Sequence, residues 1–292
     1  MQAKKGDVQM NITNRGDIIG TFNGARFLMR HYAKGFWPTA RPDMNTMAVN
    51  RIFVPLENPS GPVNHIAEKG AVHELRPGFL YFVPAFLPTR FHLDDRLLFL
   101  SLQTNVEIFP GVELFSGCPR MAVIPLPEEA QGLLALVDSP PEKLFLDALR
   151  AGSLLFRLQI ALLEQYKEED FRVPLTLRRY ASLTDFLAER GNARTSVEQL
   201  ANFRGESREH FTRHFTSCTG ITPKQFIDRF VISKCLDLLD GGLSVKETAA
   251  AMKFSSEFAF SRYFKRNMGE SPRAWMARKR PRPPAREALP RG

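Results

Sequence analysis

The chain has 292 residues, 43% hydrophobic and 24% charged, ordinary globular values that exclude collagen-like, fibrous and wholly disordered chains. At roughly 100–200 residues per domain, this length suits two domains. The net charge of +9 is uneven: from Arg178 onward 22 Lys and Arg face 12 Asp and Glu, whereas residues 1–177 carry 18 against 19. A neutral front half and a basic back half suggest a sensing or enzymatic domain joined to one that binds a polyanion.

No run reaches the ~18 uncharged apolar residues of a spanning helix, because Arg157 and Gln159 interrupt the best candidate, so no membrane association is expected. The N-terminal lysines have no apolar stretch behind them, as a secretory leader would. Cys118, Cys218 and Cys235 are odd in number and widely spaced, which argues against a disulfide scaffold and a four-cysteine zinc site. A cytoplasmic location is expected.

Residues 1–17 are expected to form a flexible arm, and the first ~110 residues alternate with the period of β-structure. Phe27, Met29 and His31 share one predicted face, as do Phe79, Tyr81 and Val83, while residues 97–106 are apolar enough for a buried strand. Turn signals at Asn23-Gly24, Asn58-Pro59-Ser60-Gly61, Arg76-Pro77-Gly78 and Pro110-Gly111 separate these runs, which implies a sandwich or a barrel. From Pro127 the period becomes helical, with one predicted helix over 128–138 and a longer one over 142–168. The longer stripe fits packing on its own domain or a two-helix dimer seam. A charged segment with Pro174 marks a linker at 169–177, and the basic, Pro-rich residues 281–292 are expected to be a disordered tail.

Between these lies an internal repeat. Residues 196–201 (SVEQLA) recur as 244–249 (SVKETA), an offset of 48. Phe211 and Phe260, Arg213 and Arg262, Phe215 and Phe264, Gly220 and Gly269, and Pro223 and Pro272 then match at 49, so one residue is inserted near Phe254. Each copy reads as helix, tight turn and second helix. Thr195-x-x-Glu198 and Ser244-x-x-Glu247 are capping-box patterns, and Ser207 and Ser256 open the second helices. Paired phenylalanines four residues apart face inward there and polar residues outward, the layout of a helix-turn-helix. The connecting helix from Thr222-Pro223 to Gly241-Gly242 has ~18 residues and a length of ~27 Å. It can therefore carry two recognition helices toward successive major grooves, ~34 Å apart.

Residues 178–280 resemble the double helix-turn-helix domain of the AraC/XylS family of bacterial transcription regulators. The match is carried by FSSEFAFSRYFKRNMGESP, close to the family signature G-F-x-D-x-S-Y-F-S-R-x-F-K-x-x-x-G-x-[ST]-P, with Lys253 at the position of its first Gly. In the first copy Arg204 and Glu206 stand where apolar residues are usual. Residues 18–168, through LRPGFLYFVPAFLPTRF and the strand at 97, resemble the cupin-like effector-binding and dimerisation domain of that family. The resemblance implies an α+β chain of two domains: an N-terminal cupin-like β-barrel with dimerisation helices, then an all-α double helix-turn-helix. Double-stranded DNA and a second copy of the chain are the implied partners, with RNA polymerase added for an activator.

Glu209, Thr212, Arg213, Glu257, Phe258, Ser261 and Arg262 are the candidate base contacts. Arg208, His210, Lys246, Ser255 and Lys265 are the candidate phosphate contacts. In the front domain His31, Trp37, Arg51 and His73 can stack on and hydrogen-bond a small effector such as a sugar or metabolite. His73-Glu74 reads as a surface or pocket polar pair. His210 and His214 have a zinc-compatible spacing but no evident further ligand, and no His-x-His, phosphate loop or nucleophile elbow occurs. No metal, cofactor or catalysis is therefore expected; a barrel enzyme tethered to DNA is the rival that turnover would reveal. An alternative makes the front domain a ligand-free protein-interaction module.

Overall fold

The computed structural model describes residues 25–36, 44–109, 111–138 and 143–279. The expected N-terminal arm, the Pro-rich tail and Trp37 lie outside the described residues.

The front half folds as two antiparallel sheets. In chain order the strands are β1 (Arg26–Phe36), β2 (Met44–Asn45), β3 (Asn50–Glu57), β4 (His65–Glu68), β5 (Ala71–Glu74), β6 (Phe79–Val83), β7 (Thr89–His92), β8 (Leu98–Phe109), β9 (Val112–Glu113) and β10 (Ala122–Pro125). The larger sheet runs β1-β8-β3-β6-β10, with β9 on β8, and the smaller runs β2-β7-β4-β5. The alternation of β3 sorts its side chains. Phe53 joins Tyr81, Val83, Phe99, Ile66 and Phe91 between the sheets, while Ile52 and Val54 join Phe82, Leu100 and Leu102 on the outer face. That outer face is covered by helices α1 (Glu128–Asp138) and α2 (Leu144–Leu163), through Leu133, Leu158 and Leu162.

Two expectations change. The described strands make two packed sheets, not a closed barrel, because strands of two to four residues give the smaller sheet little length to wrap and pair with the edges of the larger. A register shift between Met29 and His31 also breaks the shared face predicted for Phe27, Met29 and His31. Met29 packs on the outer core, whereas His31 pairs with Gln103 on the opposite face.

The back half is helical: α3 (Arg172–Leu177), α4 (Ala181–Arg190), α5 (Val197–Phe203), α6 (Arg208–Thr219), α7 (Pro223–Asp240), α8 (Val245–Ala251), α9 (Glu257–Met268) and α10 (Pro272–Lys279). Its core gathers the repeat phenylalanines Phe211, Phe215, Phe260 and Phe264 with Phe226, Phe230 and Trp275, all buried. The segment expected as a linker holds a short 3-10 turn at Glu168–Phe171 and α3, whose Leu177 is buried in this core.

The halves share an interface built on α7. Gly111, in the left-handed conformation at φ +75°, lets the β8–β9 turn approach so closely that a Cβ there would lie 2.7 Å from Phe230 Cα. Arg26 and Arg30 of β1 reach Asp237 at 2.9 and 2.8 Å, and Ser233 donates to Glu107. The Arg229 guanidinium lies 4.4 Å above the Phe86 ring, and the Ala48 N–H donates to the Asn267 carbonyl at 3.1 Å.

Candidate nucleic-acid interface

The two copies of the repeat build the same local structure. In the first, Ser196 caps α5 by accepting from the Gln199 N–H, with the Gln199 side chain returning to the Ser196 N–H. The capping box thus falls one residue later than the Thr195–Glu198 spacing predicts, because Thr195 Oγ1 is occupied by the Asn192 N–H at 3.0 Å. In the second copy the Ser244–Glu247 box forms as expected. The Ser207 and Ser256 hydroxyls accept from the N–H groups of His210 and Ala259 and start α6 and α9. Thr222, Pro223 and Gln225 start α7 in the same way.

The turn between the paired helices needs a left-handed residue. Gly205 supplies it at φ +68° and Lys253 at φ +54°. Both turns close identically, with the N–H of Glu206 on the Ala201 carbonyl and that of Phe254 on the Ala249 carbonyl. The left-handed backbone at Lys253 favours Gly, the residue that the signature has at this position.

On α6 an open groove is lined by Arg208, Glu209, Thr212, Arg213, Thr216 and Ser217. Arg208, Glu209 and Arg213 are exposed and Thr212 is half-buried. Thr216 and Ser217 join this surface unpredicted; they continue the same face one turn on, a signal available in the helical period. On α9, Phe258 is 71% exposed and Arg262 lies over its ring at 5.9 Å. Glu257 and Ser261 are half-buried, and Ser255, Lys246 and Lys265 are exposed. Arg273 of α10, which sequence reasoning missed, donates to Glu257 Oε1 at 2.9 Å. It comes from a different helix, so no spacing within the recognition helix could have disclosed it.

His210 is exposed but engaged: its Nδ1 lies 3.0 Å from Glu206 Oε2. Burial alone would raise the Glu206 carboxyl, yet His210 and Arg204 hold it below its usual range. The imidazoles of His210 and His214 are nearly parallel with centroids 5.9 Å apart, and Cys218 Sγ lies 3.7 Å from His214 Nε2. Glu206 and Cys218 thus flank the histidine pair, one turn to either side. Among the described residues no group of three or more His, Cys, Asp or Glu is poised to hold a metal.

In the front domain His73 Nε2 contacts Glu68 Oε1 at 2.8 Å and not its neighbour Glu74, since adjacent strand residues point to opposite faces. Arg51 is fully buried between the sheets, and His31 is half-buried.

Paired helical hairpins that each turn a capped, arginine-bearing helix outward define a tandem helix-turn-helix domain. A helix-turn-helix domain model matches residues 200–278. Over 96 residues the chain is 34% identical to the MmsAB operon regulatory protein of Pseudomonas aeruginosa, covering 32% of this chain and 31% of that protein. Over 112 residues it is 28% identical to the HTH-type transcriptional regulator YbfI of Bacillus subtilis, covering 38% of this chain and 41% of that one. The chain thus spans between about a third and two fifths of the length of these relatives. The whole fold is similar to that of ToxT from Vibrio cholerae, solved with an unsaturated fatty acid bound, at 11% identity and a TM-score of 0.54 over 86% of this chain and 94% of that one. The C-terminal region is thus an AraC-type helix-turn-helix domain. No helix among the described residues is long and apolar enough to cross a membrane.

Proposed function

We propose that this protein is a sequence-specific DNA-binding transcription regulator in which α6 and α9 each enter a major groove. The observation that carries the reading is the equivalence of the two hairpins: Arg213 and Arg262 occupy matching, exposed positions on helices joined by the 18-residue α7. An 18-residue helix is ~27 Å long, compatible with grooves one turn apart on one side of the duplex. In this reading Glu209, Thr212, Arg213, Glu257, Phe258, Ser261 and Arg262 face base edges, and Arg208, His210, Lys246, Ser255 and Lys265 face phosphates. Arg273 positions the Glu257 carboxylate.

Residues 18–168 form the effector-binding and dimerisation domain and 178–280 the DNA-binding domain, joined by 169–177. Support for dimerisation comes from α2, which leaves Phe145, Leu149, Phe156 and Ile160 exposed at 85, 73, 37 and 46%. They recur at spacings of four, seven and four, one stripe suited to the same stripe of a second copy. Effector binding biases the grip of the front domain on α7, and with it the placement of the two recognition helices.

Selection of binding sites from a randomised duplex library, followed by salt titration, tests the reading. It predicts an enriched site with two conserved segments one helical turn apart and an affinity that falls steeply with salt. Binding without sequence enrichment would refute it.

A further inference from the structure

Arg51 lies in the layer between the two sheets, and no described carboxylate is paired with it. It is 2% exposed; Nη2 donates to Thr89 Oγ1 at 3.0 Å, and its guanidinium lies 4.8 Å above the Phe91 ring. Nε and Nη1 are buried without a hydrogen-bond partner. Burial pulls the guanidinium down to about 9. A guanidinium kept out of water with donors open is costly, and folded proteins normally pair such a group.

The strand register places other polar groups beside it. Gln103 of β8 pairs with His31 on one side and with Arg51 on the other, and Arg51 pairs with Val83. Directly paired residues of antiparallel strands share a face, so His31, Gln103 and Arg51 form one row across β1, β8 and β3. Tyr81, Phe53 and Phe99 supply the apolar ground on that same face. A few convergent polar groups on an aromatic background make the composition of a small-molecule site.

We infer that this row is the anchoring end of the effector site and that it takes a carboxylate carried on an apolar body, with Arg51 as its countercharge. The inference rests on the effector reading above and narrows it to one chemical class. Arg51 supplies the charged donors, Gln103 and His31 continue its row, and Phe53, Phe91 and Phe99 receive the apolar body. The small number of polar groups suits a monoanion; a phosphate dianion would call for more donors.

The test uses the full chain and matched probes: benzoate and octanoate, their neutral amides, inorganic phosphate, and a set of neutral sugars. Thermal shift and titration calorimetry are read on the wild type and on Arg51→Met and Arg51→Gln, with DNA affinity followed alongside. Both carboxylates should stabilise the wild type and alter its DNA affinity, the amides should not, and either variant should weaken carboxylate binding by ~30-fold or more. Arg51→Met removes an unpaired buried cation without changing the volume greatly, so it is expected to fold. Amides acting as well as acids, or full binding by the variants, would overturn the inference. Phosphate acting where carboxylates do not would overturn it too. A neutral sugar that shifts both stability and DNA affinity would overturn the anionic inference while leaving the effector reading intact; no response to any probe would count against both.

Discussion

Arg30 of the first strand lies 2.8 Å, through Nη1, from Asp237 Oδ1 on the helix that joins the two helix-turn-helix units. The same nitrogen lies 2.8 Å from Asp240 Oδ2, and Nε donates to Asn105 Oδ1 at 3.1 Å. One arginine, 3% exposed, thus ties the front sheet to α7. Arg30→Ala should destabilise the protein by ~1–3 kcal/mol, since the half-exposed aspartates regain water while Asn105 loses its donor. Chemical denaturation measures the loss, and amide exchange should place it on β1 and on the last turns of α7.

The left-handed Lys253 gives an opposite expectation. Replacement by Gly relieves a backbone conformation that costs an L-residue ~1–2 kcal/mol, partly offset by the freedom Gly gains in the unfolded chain. Lys253→Gly should therefore raise stability by ~0.5–1 kcal/mol, and Gly205→Ala, at φ +68°, should lower it. A thermal melt of each variant checks the pair.

The exposed stripe of α2 carries a prediction about assembly. Phe145→Glu and Leu149→Glu together should give a monomer by sedimentation with unchanged secondary structure, because these side chains are 85 and 73% exposed and lie outside the buried core of the front domain. Binding to a single DNA half-site should survive, and cooperative binding to paired sites should be lost.

Glu113 links stability to pH. Burial pushes its carboxyl up to about 7, against the pull of hydrogen bonds from Asn50 and Asn105 at 2.8 Å each. A carboxyl raised in the folded state binds more protons there than in the unfolded chain. Its contribution is present in full below about 4.5 and is lost as pH rises through about 7. The stability of the wild type relative to Glu113→Gln should thus decline by on the order of 2 kcal/mol from pH 4.5 to 7.5, and level off above. A difference that grows with pH would show that the hydrogen bonds dominate the burial.

Much of this molecule was legible in its residues, for identifiable reasons. The repeat was visible because Phe211/Phe215 and Phe260/Phe264 must face a core while Arg213 and Arg262 face out, and because Ser207, Thr222, Ser244 and Ser256 are caps whose chemistry is local. The strand over 79–83 and the buried strand from residue 98 followed from alternation and apolar density. The face of His31 was not legible, since a bulge flips it without any mark in the composition. Sheet closure was hidden as well, because it depends on how far short strands extend. The partners of Arg30, Arg51 and Glu257 were invisible for a third reason: Asp237, Thr89 and Arg273 reach them from distant or separate elements.

The claim that α9 reads bases is tested most directly by comparing Arg262→Ala with Lys265→Ala on the selected DNA site and on single-base variants of it. The account predicts that Arg262→Ala loses ~1–3 kcal/mol on the selected site and no longer discriminates at one base pair, while Lys265→Ala weakens every sequence alike and lowers the salt dependence. Uniform weakening by both, with discrimination unchanged at every position, would contradict it.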